Sequence, residues 1–238
     1  MIDFIQAPAR LPPGQRVYAI GDVHGCLDRL VALHGLIADD LAERPVAGPV
    51  LVHLGDYVDR GEDSAGVVAR LAAGVALPGV PTVNLMGNHE HMMLEAIAEG
   101  EAEAAGLWLA NGGGDSLRSW GVSPSALARD WSGYLPEAHL RFLRALELRH
   151  EVGGYLFVHA GIRPGVPLDR QDRHDLIWIR EPFLSSDAPH GVVVVHGHTP
   201  RQEPVVRANR IGIDTGAVMG GVLTCVVLED DRLGFITA

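Results

Sequence analysis

Six side chains able to ligate a metal follow short apolar runs in this sequence. Asp22 and His24 stand in GDVHG, Asp56 in GDYVDRG, Asn88 in GNHE, His159 in HAG and His198 in HGHT. One Asp or His after a strand is ordinarily a turn residue or a solvated side chain. Here five apolar runs all end in Asp, Asn or His beside Gly, and five independent coincidences are a poor account of that. The donors are oxygen and imidazole nitrogen, with no thiolate. Such a set suits Mn, Fe or Zn, and does not suit Ca or a cysteine-based zinc site. Six ligands are about right for two ions that share a bridging carboxylate and leave positions open for water and substrate. Two ions about 3.5–4 Å apart can clamp the attacking and leaving oxygens of an in-line displacement. The neighbouring glycines let the backbone turn sharply enough to bring these side chains together.

Something must position these groups. Residues 17–20 (VYAI), 50–54 (VLVHL) and 80–86 are short apolar runs of strand type, each ending in a Gly-containing polar turn. Helical spacing follows each run, over residues 27–37, 65–73 and 92–97, the last with Met93 and Ile97 on one face. This alternation predicts βαβ units and a mainly parallel sheet, and open α/β sheets place ligands beyond the carboxyl ends of their strands. Residues 99–150 differ. They begin acidic and Ala-rich, pass a glycine turn at 111–114 and end in an apparent amphipathic helix over 136–149. They read as a helical insertion or cap within a single domain spanning residues 1–238. The last third is strand-rich, with candidate strands at 155–158, 192–195, 210–213, 222–228 and 233–236 separated by Gly and Pro clusters. No repeat of fixed period and no low-complexity tract is visible.

Composition narrows the chemistry further. The chain has 238 residues, 47% hydrophobic and 21% charged, which is ordinary for a globular protein and excludes a disordered or fibrous one. Its formal net charge of −11 argues against non-specific binding to nucleic acid or an anionic membrane, although one phosphate can still be held locally. All 19 basic residues are Arg. The absence of Lys excludes Schiff-base chemistry, pyridoxal phosphate and the P-loop lysine together. A phosphate must therefore be held by Arg, backbone N–H groups or metal, and the planar fork of Arg suits that role. Cys26 and Cys225 form no framework, the first ten residues do not resemble a signal peptide, and no apolar stretch reaches about 18 residues. The reading is a cytoplasmic protein, and the Ala, Gly, Arg and Pro content suggests a bacterial source.

Taken in order, GDVHG, GDYVDRG, GNHE, HAG and GHT resemble the phosphoprotein phosphatase family within the calcineurin-like metallophosphoesterases. The match spans residues 17 to about 220. WLANGGG, IWIREP and IDTGAV are similar to the bacterial branch that includes the bacteriophage lambda serine/threonine phosphatase. The resemblance implies the calcineurin-like fold, an α/β (α+β) four-layer α/β/β/α sandwich of two mixed sheets with a helical cap insertion. It implies two divalent metal ions, Mn first and Fe or Zn next. Asp22, His24 and Asp56 would bind one ion, and Asp56 would bridge to a second ion held also by Asn88, His159 and His198. Arg60 and Arg180 would bind the substrate phosphate. His89 would be the general acid, oriented by Asp59, and a hydroxide bridging the metals would attack without a phosphoenzyme. Elementary chemistry agrees with that division. His89 directly follows a proposed ligand, so its ring can face the open side, and a carboxylate partner helps a histidine hold a proton near neutral pH.

The substrate implied is a phosphorylated protein, through phosphoserine or phosphothreonine, or a small phosphoester. The alternative on the same site is a dinucleoside polyphosphate hydrolase such as one cleaving diadenosine tetraphosphate. Glu90 in GNHE and Asp59-Arg60 in VDRG favour the phosphatase, whereas the dinucleotide would make the cap around Trp108 the place for a base-binding surface. A non-catalytic scaffold predicts decay of the ligand set, and none is seen. His196 lies two residues before His198, which on a strand would put both on one face. Asp214 in Asp-Thr-Gly has no second such motif and reads as structural or as support behind a ligand. Trp108–Gly114 is either a helix end and turn or a substrate-facing loop. His91 lies just past GNHE and reads as a helix-surface residue, and His34, His53, His139, His150, His174 and His190 carry no motif.

Overall fold

Strand side chains alternate between two faces, and in this protein each face meets a different apolar layer. The computed structural model describes residues 2–74, 77–99 and 102–238. One sheet has six strands: β1 (Ile5–Gln6), β2 (Gln15–Ile20), β3 (Gly48–His53), β4 (Thr82–Asn84), β10 (Thr224–Glu229) and β11 (Arg232–Thr237), in the order β1-β11-β10-β2-β3-β4. The other has five: β5 (Arg149–Val152), β6 (Tyr155–Val158), β7 (Val193–His196), β8 (Val205–Val206) and β9 (Arg210–Gly212), in the order β5-β6-β7-β9-β8. Val17 and Ala19 of β2, Val226 and Leu228 of β10, Tyr155 and Phe157 of β6, and Val195 of β7 meet between the sheets. The alternate residues Tyr18, Ile20, Cys225 and Val227 face a helical layer on one outside. Leu156, Val158 and Val194 face the other outside, against Leu176, Ile177 and Phe183. The result is the four-layer sandwich of two mixed sheets.

Register carries the functional consequence. β2, β3 and β4 are parallel, pairing Ile20 with His53 and His53 with Asn84, so their carboxyl ends lie level. β6, β7 and β9 are likewise parallel, pairing Phe157 with Val195 and His196 with Gly212. The antiparallel strands lie outside these triplets.

The helices are α1 (Leu27–Glu43), α2 (Ser64–Ala72), α3 (Asn88–Glu99), α4 (Ala102–Trp108), α5 (Gly114–Ser119), α6 (Glu137–Arg144) and α7 (Arg173–Trp178). The helix expected over 92–97 begins four residues earlier, so Asn88, His89 and Glu90 form its first turn. The helix expected over 136–149 stops at Arg144, and Arg149–Val152 is a strand instead. Its partner decides this: Val152 pairs with Tyr155 across a two-residue Gly153-Gly154 loop, the hairpin signal that periodicity alone overlooks. The strand expected over 80–86 shortens to three residues, after which Leu85 makes only a single bridge to Glu147. Within the expected insertion, residues 100 and 101 lie outside the described residues. The remainder is helical through α4, α5, a 3₁₀ segment at Ala128–Tyr134 and α6. Its Trp108, Leu117, Trp131, Leu140 and Leu143 share one apolar cluster with residues of α1, α2 and α3. This helical segment is thus built into the outer helical layer.

Phe157 sits unexposed at the centre of the inter-sheet layer. Phe157→Ala should cost about 3–5 kcal/mol through lost burial and the cavity left behind. Chemical denaturation will measure it, and a loss below 1 kcal/mol, well under that range, would mean that the two sheets do not pack through this residue.

Candidate metal centre

The polar turns after β2, β3, β4, β6, β7 and β9 meet at one edge of the sandwich. They do so in unusual backbone. Six non-glycine residues among those described have positive φ: His24 (43°), Asp56 (51°), Asp59 (74°), Arg60 (68°), His198 (63°) and Asp230 (50°). Only Asp230, in the β10–β11 hairpin turn, lies away from the polar edge. Each such residue costs of order 1–3 kcal/mol and persists only where its surroundings over-determine it. Glu90 is one determinant. Its buried carboxylate accepts hydrogen bonds from the backbone N–H of Asp56 (2.9 Å), Tyr57 (2.7 Å), Val58 (3.1 Å) and Gly87 (2.9 Å). It thereby ties the turn after β3 to the start of α3. Gly55, with φ 106°, lets these turns touch, since a Cβ there would lie 2.6 Å from Gly87 N.

Two groups of buried donors converge on Asp56: His24, Asp56 and His89 in one, and Asp56, His159 and His198 in the other, the donor atoms within each lying within 4.8 Å of one another. The imidazoles are pre-oriented. His24 Nδ1 donates to the Val58 carbonyl at 2.7 Å and His159 Nδ1 to the Leu54 carbonyl at 2.9 Å. A carbonyl only accepts, so both Nδ1 atoms carry protons and both Nε2 atoms are left to act as ligands. His159 Nε2 faces Asn88 Oδ1 at 3.0 Å and Asp56 Oδ2 at 3.3 Å. His198 Nε2 is buried with no hydrogen-bond partner among the described residues.

Electrostatics point the same way. Burial opposes a charge on His159, yet Asp56 outweighs it and pushes the pKa up to about 10. Burial raises the Asp22 carboxyl well above its usual range, and the neighbouring charge of Asp214 raises it further. Burial lowers His24 and His198 to about 3, leaving both neutral. The site is short of positive charge: His24 and His198 face it as neutral imidazoles, while the Asp56 charge draws a proton onto His159. Its donor set fits divalent cations. Asp22 lies outside both compact groups and accepts the backbone N–H of His198 at 3.0 and 3.1 Å.

Beside the donors stands a second arrangement. His89 Nδ1 is 2.7 Å from Asp59 Oδ2, and its Nε2 is 4.0 Å from Asp56 Oδ2. Burial disfavours protonated His89, but Asp56 and Asp59 outweigh it and raise the pKa. Arg60 is exposed at its surface, with Nη1 2.9 Å from His24 Nε2. Arg180 is also exposed, and its charge reaches His198, which it helps to hold neutral.

Several features are not visible in the linear sequence. Asp59 is fully buried and bonded to Trp108 and Ser116 of the insertion. Trp108 is itself unexposed. His196 does not share a face with His198. β7 ends at His196, the chain turns through a left-handed His198, and the His196 ring packs edge-on to Phe183 at 5.2 Å. Asp214 follows β9 and stands beside Asp22. The four donors converging on Glu90 could have been suspected only from GDYVD and GNHE being close in space.

Known proteins resemble this chain. A family model described as calcineurin-like phosphoesterase matches residues 15–221. The serine/threonine-protein phosphatase 1 of Salmonella typhimurium is 31% identical over 223 residues, covering 90% of this chain and 93% of that protein. A symmetrical bis(5'-nucleosyl)-tetraphosphatase of Nitrosospira multiformis is 28% identical, covering 91% and 94%. A solved structure provisionally named a diadenosine tetraphosphatase aligns with TM-score 0.65 at 22% identity, over 97% of this chain and 98% of that one. The chain belongs to the calcineurin-like phosphoesterase family, whose members are hydrolases that use divalent metals.

Glu90→Gln keeps the side-chain shape but presents an NH₂ group where backbone donors already point. At least one buried N–H loses its acceptor, at about 1–3 kcal/mol each. Denaturation should report that loss, and a Mn²⁺ titration should report weaker binding as the turn bearing Asp56 loosens. Unchanged stability and affinity would show that Glu90 does not organise the turn.

Proposed function

We propose that this calcineurin-like phosphoesterase is a dinuclear-metal phosphatase of phosphoserine and phosphothreonine in proteins. The observation that carries this reading is the buried Asp59–His89 pair at 2.7 Å. An alkoxide leaving from phosphoserine or phosphothreonine is strongly basic and needs a proton as the P–O bond breaks. A phosphoanhydride expels a much weaker base and gains little from an acid. A histidine held protonated beside two carboxylates is therefore equipment for an ester. The similarity to the Salmonella serine/threonine-protein phosphatase 1 supports the same class.

In this reading Asp22, His24 and Asp56 would hold one cation, while Asp56, Asn88, His159 and His198 would hold the other. Two divalent ions, manganese first, would supply Lewis acidity and activate water at neutral pH. The chain's own residues do the rest. Arg60 and Arg180 bind the phosphate oxygens from the exposed side. His89 keeps its Nδ1 proton on Asp59 and gives its Nε2 proton to the leaving oxygen. Asp59, shielded from water, holds the ring in that orientation and stabilises its charge. The substrate surface, metal identity and single-domain organisation all belong to this proposal.

A second reading, hydrolysis of dinucleoside tetraphosphates, draws on the similarity to proteins named for that activity. The two separate in a side-by-side assay with Mn²⁺-loaded protein, a phosphothreonine peptide and diadenosine tetraphosphate. The peptide should show the higher kcat/KM; preference for the dinucleotide would transfer the role to nucleotide hydrolysis with the same residues.

His89→Asn should lower kcat on the peptide by about 10²–10⁴-fold while metal content is retained. The loss should shrink on p-nitrophenyl phosphate, whose leaving group needs no acid. Equal losses on both substrates would exclude His89 as the acid.

A further inference from the structure

Asp59 owes its orientation to the insertion, and the contacts are specific. Trp108 Nε1 lies 3.0 Å from both Asp59 Oδ1 and Oδ2. Ser116 Oγ donates to Asp59 Oδ1 at 2.7 Å and accepts the Asp59 backbone N–H at 2.7 Å. Ser64 Oγ completes the cluster, 3.1 Å from Asp59 N and 3.0 Å from Ser116 Oγ. Asp59, Ser64, Ser116 and Trp108 are all unexposed.

We propose that Trp108 and Ser116 are positioning residues that hold the Asp59 carboxylate so that Oδ2 is presented to His89. The proposal rests on the reading of Asp59 and His89 as the acid pair. Indole suits the task because it is a donor only and cannot compete with Asp59 for the imidazole proton. Burial pushes Asp59 toward its neutral form, while the bonds from His89, Ser116 and Trp108 favour the carboxylate. As a carboxylate Asp59 can accept from His89 Nδ1, Ser116 Oγ and Trp108 Nε1 at once, because neither oxygen carries a proton.

The rest of the WLANGGG segment fixes the indole. Gly113 lies flat against it, where a Cβ would come 2.5 Å from Cδ2, and Trp131 meets it edge-on at 5.5 Å. Gly112, with φ 106°, accepts the Arg60 backbone N–H at 3.4 Å, and a Cβ there would lie 2.8 Å from Arg60 Cγ. One glycine turn therefore sets both the donor to Asp59 and the backbone that carries Arg60.

Trp108→Phe removes the N–H and keeps a ring between Gly113 and Trp131. Trp120→Phe is the matched control, because that indole bonds His139 at 3.0 Å and not Asp59. With Mn²⁺-loaded protein, Trp108→Phe should lower kcat about 10-fold or more on an alkyl phosphate and less than about threefold on p-nitrophenyl phosphate, a fraction of what removing the acid itself costs. KM and metal content should stay at wild-type values. Ser116→Ala should move in the same direction and serves alone if Trp108→Phe does not fold. Equal losses on both substrates, or none, would overturn the positioning role. If the wild-type chain hydrolyses no phosphoester, the functional reading itself fails, and the proton resonance of His89 Nδ1–H then decides. It should shift in Trp108→Phe and not in Trp120→Phe; a resonance that stays in place overturns the proposal.

Discussion

A carboxylate buried to the depth of Asp56 must be answered by positive charge or by donors, because leaving it unpaired costs several kcal/mol. The surrounding structure reads as that answer. His24, His89 and His159 turn their Nε2 atoms toward it. His159 is drawn toward protonation against the pull of burial, and burial and the Asp214 charge drive Asp22 upward. Burying several acids and imidazoles together gives a cavity that favours cations, and the fold family's need for divalent metal follows from that balance.

Holding such a cluster requires rigid support, since the turns that carry it adopt costly left-handed backbone. Two parallel triplets of strands end at one edge, and the inter-sheet apolar layer fixes them against each other. Glu90 then acts as an internal knot, gathering four backbone donors from two turns. Strain in the turns is met by packing behind them, the usual division between a stable scaffold and a strained site.

The insertion extends this logic outward. Its tryptophans and leucines belong to the same apolar cluster as α1, α2 and α3, so it is anchored as firmly as the scaffold. From that anchorage it reaches Asp59 through Trp108 and Ser116 and touches Arg60 through Gly112. One segment thus contacts both the Asp59 carboxylate and the backbone of Arg60.

Much of this protein was determined by local sequence. Short apolar runs ending in Gly-Asp, Gly-Asn-His and Gly-His-Thr specified the strands and put the donor residues at their ends, because such runs and glycine turns act over a few residues. The two mixed sheets and the family followed from the order of those motifs. Tertiary structure alone decided the rest. The strand at Arg149–Val152, of which only Arg149 fell within the expected helix, exists because β6 pairs with it. His198 parts from His196 because the chain leaves the strand between them. Trp108 reads in sequence as part of either a helix end or a substrate-facing loop, and it is a hydrogen-bond donor to a residue 49 positions away. Its role depends on a distance between distant segments, and hydrogen bonds across such separations are set by packing, which no local pattern encodes.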